Sequence, residues 1–362
     1  MTSSLQRPGE AASSVCVDKT NEPASGITGD AREWFLRLRP YRNASTARSL
    51  CQLGATAIPL ITLWVVTMVA VHYGYWWALL LSIPTAGFLV RLFMIQHDCG
   101  HRSFFRSRFA NDLLGHVIGI FTLTPFIYWR KAHAIHHSTS GNLDHRGIGD
   151  LHLLTVREYE ALSPLRRILY RLYRNPLVLF GIGPIYLFVV KFRLPMDMLR
   201  MRKGTLPSVL VTNIGIAAIV VTLGIFLGFG DFFLVQAPVT LLASAIGTWL
   251  FYVQHQFSDT YWARDDSWDF HTAAVAGSTY YVLPRWLRWL TANIGIHHIH
   301  HLSSMIPNYR LNECLKDFPE LGQVNRLTLW ESLKCARLTL WDEATQKLIS
   351  FRTLSRRRYQ AA

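Results

Sequence analysis

The sequence predicts an all-α integral membrane protein in which four transmembrane helices support a cytosolic helical cap. Half of its 362 residues are hydrophobic and 17% are charged, too apolar a balance for an ordinary soluble chain of this length. Four runs are almost free of charge and reach the roughly 20 residues that a helix needs to cross a bilayer core.

Taken in order, residues 1–33 are rich in Ser, Gly, Ala, Thr and Glu and lack an apolar core or a cleavage-type sequence. They predict a disordered cytosolic tail and not a signal peptide. A membrane domain (34–311) and a cytosolic C-terminal region (312–362) follow. The first span is Leu53 to Val71, and after the break HYGY the second runs from Trp76 to Gln96. Its one charge, Arg91, is expected to snorkel toward the headgroups. The third and fourth spans, 208–230 and 232–254, have only Asp231 between them, which predicts a tight turn. Two weaker runs, Leu113 to Trp129 and Leu177 to Val190, are short or interrupted by Pro125 and Pro184, and predict interfacial or re-entrant segments.

Lys and Arg fall before the first span, between Gln96 and Ser208, and after Gln254, while the two tight turns hold none. The positive-inside rule then puts both termini and the long middle segment on the cytosolic side, in a bacterium at the cytoplasmic membrane. The net charge of +14 comes without any zinc-finger, RNA-recognition or basic-zipper pattern, so anionic lipid is the expected partner and nucleic acid is not. Cys16, Cys51, Cys99, Cys314 and Cys335 are odd in number and scattered, with no CxxC pair, and argue against a disulfide framework, a zinc site or an iron–sulfur cluster.

Histidine carries the chemistry. His97 and His101 stand at i, i+4 at the end of the second span, on one helix face. His133, His136 and His137 repeat the idea as HxxHH, and His297, His300 and His301 repeat it again, with His298 pointed to another face. A solvated histidine surface would not arrange eight of fifteen histidines at helical ligand spacings beside membrane ends. Imidazole suits iron, zinc, copper and nickel alike, but eight or nine rings suffice for two five- or six-coordinate metals with positions left for oxygen. The HExxH signature is absent, which removes the general base of metal-assisted peptide hydrolysis.

With three such boxes in this order, the chain resembles the integral-membrane fatty acid desaturases from the first span to about Leu311. The stretches GIHHIHHLSSMIPNYRL and FYVQHQFSDTYW are most similar to those of bacterial acyl-lipid desaturases. The resemblance implies a non-haem diiron centre with His97, His101, His133, His136, His137, His297, His300 and His301 as ligands. It implies a ninth, His255, at the end of the fourth span. In acyl-CoA relatives an Asn one turn before that histidine holds a metal-bound water. Here Phe251 stands there, and one coordination position is left unassigned. Asn293, one helical turn before His297, is a candidate to orient a ligand. Asp98, Asp144, Asp259 and Asp269 are candidates to hold imidazole N–H groups, against the plainer reading of solvated carboxylates.

The implied reaction uses two electrons and O₂ to leave a cis double bond in the acyl chain of a membrane phospholipid or other acyl lipid, with omega-6 (Δ12) and Δ5 as the two expected positions. No HPGG haem stretch, cluster cysteines or GxGxxG loop occurs, so electrons are expected from a separate donor, ferredoxin or cytochrome b5. Arg166, Arg167, Arg171 and Arg174 fit either a docking surface for an acidic carrier or, slightly favoured, attraction to anionic lipid. Gly215, Gly224, Gly228, Ala243, Ser244 and Gly247 fit either a channel lining or close helix packing. Carotenoid ketolases or hydroxylases and alkane hydroxylases share such boxes, while a metal transporter would need ligands near the bilayer midplane and a zinc hydrolase a water-activating carboxylate.

Overall fold

Long uncharged runs bury their backbone polar groups most cheaply as helices, and the computed structural model, which describes residues 31–194 and 204–361, is mostly helical. Residues 1–30, with most of the predicted tail and Cys16, lie outside the described residues. Helix α1 (Ala31–Arg37) takes in the last three residues of that segment.

Helix α2 (Thr46–His72) begins at Ser45, whose side chain accepts from Arg48 N, and ends where Gly74 turns at φ +85°. At 27 residues it is about 40 Å long and crosses a bilayer core with a turn or more to spare at each end. A 3-10 stretch, Trp76–Leu81, leads into α3 (Ser82–Gly100). After several shorter helices come α9 (Thr205–Leu227) and α10 (Phe229–His255), which complete four helices long and apolar enough to cross a membrane.

Two details of the span predictions change. The turn between α9 and α10 is made by Gly228 at φ +84°, three residues before the predicted site, because only glycine takes that conformation without cost. Asp231 instead lies in the first turn of α10, where a carboxylate suits the helix dipole, 3.2 Å from His72 Nδ1. Arg91 does not snorkel. It is buried (2% exposed), donates from Nε to Thr56 Oγ1 at 3.0 Å and from its other nitrogens to Gln52 and the Trp289 carbonyl, and stacks on the Trp289 ring. Helix α3 packs between α2 and α10, so its charged face meets protein and not lipid.

Helices α4 (Arg108–Phe121) and α5 (Phe126–Thr139) meet at 104°, with Leu123 at φ +55° in the bend. Gln96 of α3 holds that bend, accepting from Thr122 Oγ1 at 2.6 Å and donating to the Thr124 carbonyl. After α6 (Val156–Ala161), helices α7 (Pro164–Tyr173) and α8 (Val178–Arg193) meet at 60°. Each bent pair reaches span length only if taken as one broken segment, in keeping with the re-entrant or interfacial reading. Helix α8 has π-helical turns at Val178–Ile182 and Tyr186–Val190, either side of Pro184, whose missing N–H loosens the ladder.

The cap holds α1 and α11 (Phe270–Ala276), α12 (Arg285–Leu290), α13 (His297–Leu302), α14 (Asn308–Asp317), α15 (Leu329–Cys335) and α16 (Phe351–Ala361). It also contains strands of two or three residues. Leu154–Thr155, Leu340–Asp342 and Lys347–Ile349 form one sheet, and Tyr280–Val282 pairs in parallel with Arg326–Thr328. Capping boxes at Thr155/Glu158 and Thr328/Glu331 start α6 and α15 directly after strands. Cys51, Cys99, Cys314 and Cys335 are all free thiols.

Candidate metal centre

Four elements converge where the bundle meets the cap. His97 lies in the last turn of α3 and His101 at its C-cap; His133, His136 and His137 share one side of α5; His255 ends α10; and α13, buried throughout, carries His297, His300 and His301. Their nitrogens form two groups, His97, His101, His133, His137 and His300 in one and His136, His255, His297 and His301 in the other, with ligand atoms within 4.8 Å of one another in each. The groups adjoin, since the His137 and His301 rings stack at 4.1 Å.

Facing Nε2 atoms approach closely: His101 to His133 at 3.0 Å, His133 to His137 at 3.1 Å, His137 to His300 at 3.2 Å, His136 to His255 at 3.2 Å and His255 to His297 at 3.0 Å. Burial, reinforced by the neighbouring rings, pushes the imidazoles of His101, His133, His137, His297, His300 and His301 well below the usual histidine range. They are neutral at pH 7, the form in which histidine binds metal. The His136 Nδ1 proton goes to Asp150, and His255 Nδ1 donates to the Gly277 carbonyl at 3.0 Å. Both rings then turn an unprotonated Nε2 inward, toward each other. Two lone pairs at that distance repel unless a cation lies between them. His301 Nε2 is also buried with no partner among the described residues. Each group could hold a metal ion, and the donor set fits one.

Of the proposed orienting residues, Asp98 lies 3.4 Å from His97 Nδ1 and accepts from Asn308 N at 2.7 Å and Asn308 Nδ2 at 2.8 Å. Asn293 does not reach a ligand. Residues 291–295 form turns, Asn293 sits at φ +58°, and its amide donates to the Asn308 carbonyl, so the one-turn spacing to His297 has no helix to act through. Asp144 pairs with Arg264 at 2.6 Å, Asp259 with Lys347 at 2.8 Å, and Asp269 caps α11 through Thr272 N. All three are surface devices remote from the rings. His298 points away, as expected, and Nε2 lies 2.9 Å from the Leu321 carbonyl.

Sequence reading missed Asp150. The signal was the pair of glycines before it, Gly147 at φ +112° and Gly149 at φ +75°. A Cβ on Gly149 would stand 2.6 Å from the Ala132 carbonyl, so only glycine lets this loop lie against α5 and present Asp150 to His136.

A cavity of about 730 Å³ runs along α10 from Thr240 to Gln254, about 21 Å of helix, and ends against His97, His133 and His297. Its walls are mostly apolar, with Phe93, Met94 and Trp129 beside the histidines and Leu187, Phe188 and Phe192 from α8. A largely apolar space that reaches a metal-competent histidine cluster fits an alkyl chain.

Comparison with known proteins agrees with that chemistry. The sequence pattern of the family described as fatty acid desaturase matches residues 74–331, well over half of the chain. The chain belongs to the fatty acid desaturase family. It is similar to a fatty acid desaturase of Bacillus subtilis, 42% identical over 314 residues, which cover 87% of this chain and 89% of the relative. It is also similar to two proteins of Synechocystis sp. One is an sn-1 oleoyl-lipid 12-desaturase, 30% identical over 68% of this chain and 72% of the relative. The other is an sn-1 acyl-lipid omega-3 desaturase (ferredoxin), 29% identical over 67% of this chain and 68% of the relative.

The desaturase is thus an oxidoreductase, and the transporter and zinc-hydrolase readings fall. Its small residues divide by role. Ala243, Ser244 and Gly247 line the cavity, while Gly215 packs on Ile120, Gly224 on Phe229, and Gly228 makes the turn. The arginines of the 166–174 segment divide too. Arg174 is buried on Tyr252, Gln256 and the Leu338 carbonyl, Arg167 bonds carbonyls of α6 and its end, and Arg171 donates to Tyr159. Arg166 is exposed on α7, as are Arg171 and an apolar stripe of Leu165, Ile168, Leu169 and Leu172.

Proposed function

We propose that this desaturase inserts a cis double bond into an acyl chain still esterified in a membrane lipid. The supporting observation is the shared helix α8. Its Leu187, Phe188 and Phe192 wall the cavity, while Ile182, Tyr186 and Val189 are exposed. One apolar helix, with π-helical turns, separates the cavity from the surface that faces lipid, which suits a substrate arriving from the bilayer.

The nine histidines, His97, His101, His133, His137 and His300 with His136, His255, His297 and His301, would hold two irons. When bound, these supply the O₂-dependent oxidation of an unactivated methylene that no side-chain acid or base can drive. The residues themselves position and exclude. The cavity straightens the chain along α10, Phe251 packs on the His136 and His255 rings where a polar side chain would admit water, and Asp150 and Gly277 fix two imidazole tautomers. Electrons would come from a separate donor, ferredoxin or cytochrome b5, and one relative carries ferredoxin in its name. The cap and both termini would face the cytosol, on the arginine- and lysine-rich side of a bacterial cytoplasmic membrane.

The test is expression in a bacterium lacking polyunsaturated lipids, beside a His297→Ala variant. Fatty acids are read by gas chromatography and mass spectrometry after derivatisation that locates double bonds. New unsaturation at Δ12 or Δ5, in intact phospholipid and absent from the variant, is the expected result. Hydroxylated product, or new unsaturation confined to free or thioester-linked acyl groups, would overturn the reading.

A further inference from the structure

A second and much smaller chamber lies beside the His255 ring and Asp150, the partner of His136. It measures about 10 Å³, and its walls include Asp150, Phe251, His255, Thr260, Trp262 and Gly277. That is the space of one water molecule. Three of these residues hold a buried polar atom with no partner among the described residues: Asp150 Oδ2, Thr260 Oγ1 and Trp262 Nε1. Thr260 is 4% exposed, Trp262 5%, and the Asp150 side chain 7%. Unpaired buried groups are rare in native proteins, and three around one chamber call for a common partner.

Their chemistry is complementary. A carboxylate oxygen only accepts, an indole N–H only donates, and a hydroxyl does either. One water accepting from Trp262, donating to Asp150 and sharing a third bond with Thr260 satisfies all of them, and about three bonds is the usual number for a buried water. The other oxygen of Asp150 accepts from His136 Nδ1. Holding both carboxylate oxygens fixes the carboxylate plane, and that plane fixes the His136 ring.

We propose that this chamber binds a single ordered water through Asp150, Thr260 and Trp262, and that Thr260 and Trp262 are positioning residues acting through it on His136. The stretch HQFSDTYW thereby acquires a role: His255 faces the centre, and Thr260 and Trp262 hold the water behind it. The water stands on the geometry above, and its consequence for metal rests on the reading of His136 as an iron ligand.

Two measurements on the full-length protein in lipid nanodiscs test this. The first is an experimental structure, at a resolution that shows ordered solvent, of the wild type and of Thr260→Val. A solvent peak within hydrogen-bond distance of Asp150 and Trp262, lost or displaced in the variant, is expected; a dry chamber, or a direct Asp150–Trp262 bond, would overturn the proposal. The second is the rate at which a chelator strips iron. Thr260→Val and Trp262→Phe should speed release by about threefold to tenfold, less than a direct orienting partner commands. Thr260→Ser should restore the rate, and Asp259→Asn, which breaks only the surface pair with Lys347, should leave it unchanged. Unaltered release in Thr260→Val with the water displaced would overturn the positioning role. Absence of iron from the wild type would sink the metal reading of His136 while the solvent peak still decided the chamber.

Discussion

The two histidine groups are built differently. The first has five rings, and among the described residues only His97 of these lies near an acidic partner, Asp98 at 3.4 Å. The second has four rings, two of them pinned from behind, His136 by Asp150 and His255 by the Gly277 carbonyl. The first gains by number and the second by orientation. Redundancy and preorganisation are thus separate ways to hold an ion, and they should fail differently.

The sharpest way to break this comparison is to remove one ring from each group. His255→Ala should abolish iron from the four-ring group and lower desaturation by more than about 100-fold, whereas His101→Ala should leave a loosened but occupied five-ring group; iron content and Mössbauer spectra separate them. Equal loss from both would erase the distinction. Next, Asp150→Asn should weaken iron retention by about 10–100-fold, while Asp98→Asn should loosen the Asn308 contact and lower thermal stability more than it affects iron. Chelator competition and thermal unfolding check the pair.

The cavity gives the third contrast. Nothing lies within 4 Å of a Cβ placed on Gly247, whereas one on Gly215 would stand 2.6 Å from Ile120 Cδ1. Gly247→Leu should lower turnover of the longest chains on the order of tenfold, with folding intact, and Gly215→Leu should reduce stability without changing product pattern. Product profiles across chain lengths decide this. Smaller still, Gly149→Ala should cost about 1–3 kcal/mol through its positive φ and the crowding of the Ala132 carbonyl, seen as a lower unfolding temperature.

Periodic or composition-driven features were legible in the sequence. The spans are uncharged runs that have no alternative to helix in lipid, and the histidine spacings place rings on one helix face whatever surrounds them. Features set by what packs against a residue were not. Arg91 reads as a snorkelling charge until α12 brings the Trp289 carbonyl to it. Asn293 reads as helical until the turn at 291–295 is seen, and three of the four candidate carboxylates found nearer surface partners. Asp150 is fourteen residues from His136, a separation no local rule links. Only the glycine at position 149, needed for close approach, marked the loop.

Helix α13 gives rings to both groups, His300 to the first and His297 and His301 to the second. Neither group can be complete until synthesis has passed residue 301, by which time all four spans have left the ribosome. At roughly 5–20 residues per second, the first histidines wait on the order of 10–40 seconds for their partners. A chain truncated before α13 would retain the whole bundle with four rings of the first group and only two of the second, so the cap decides the second cage far more than the first.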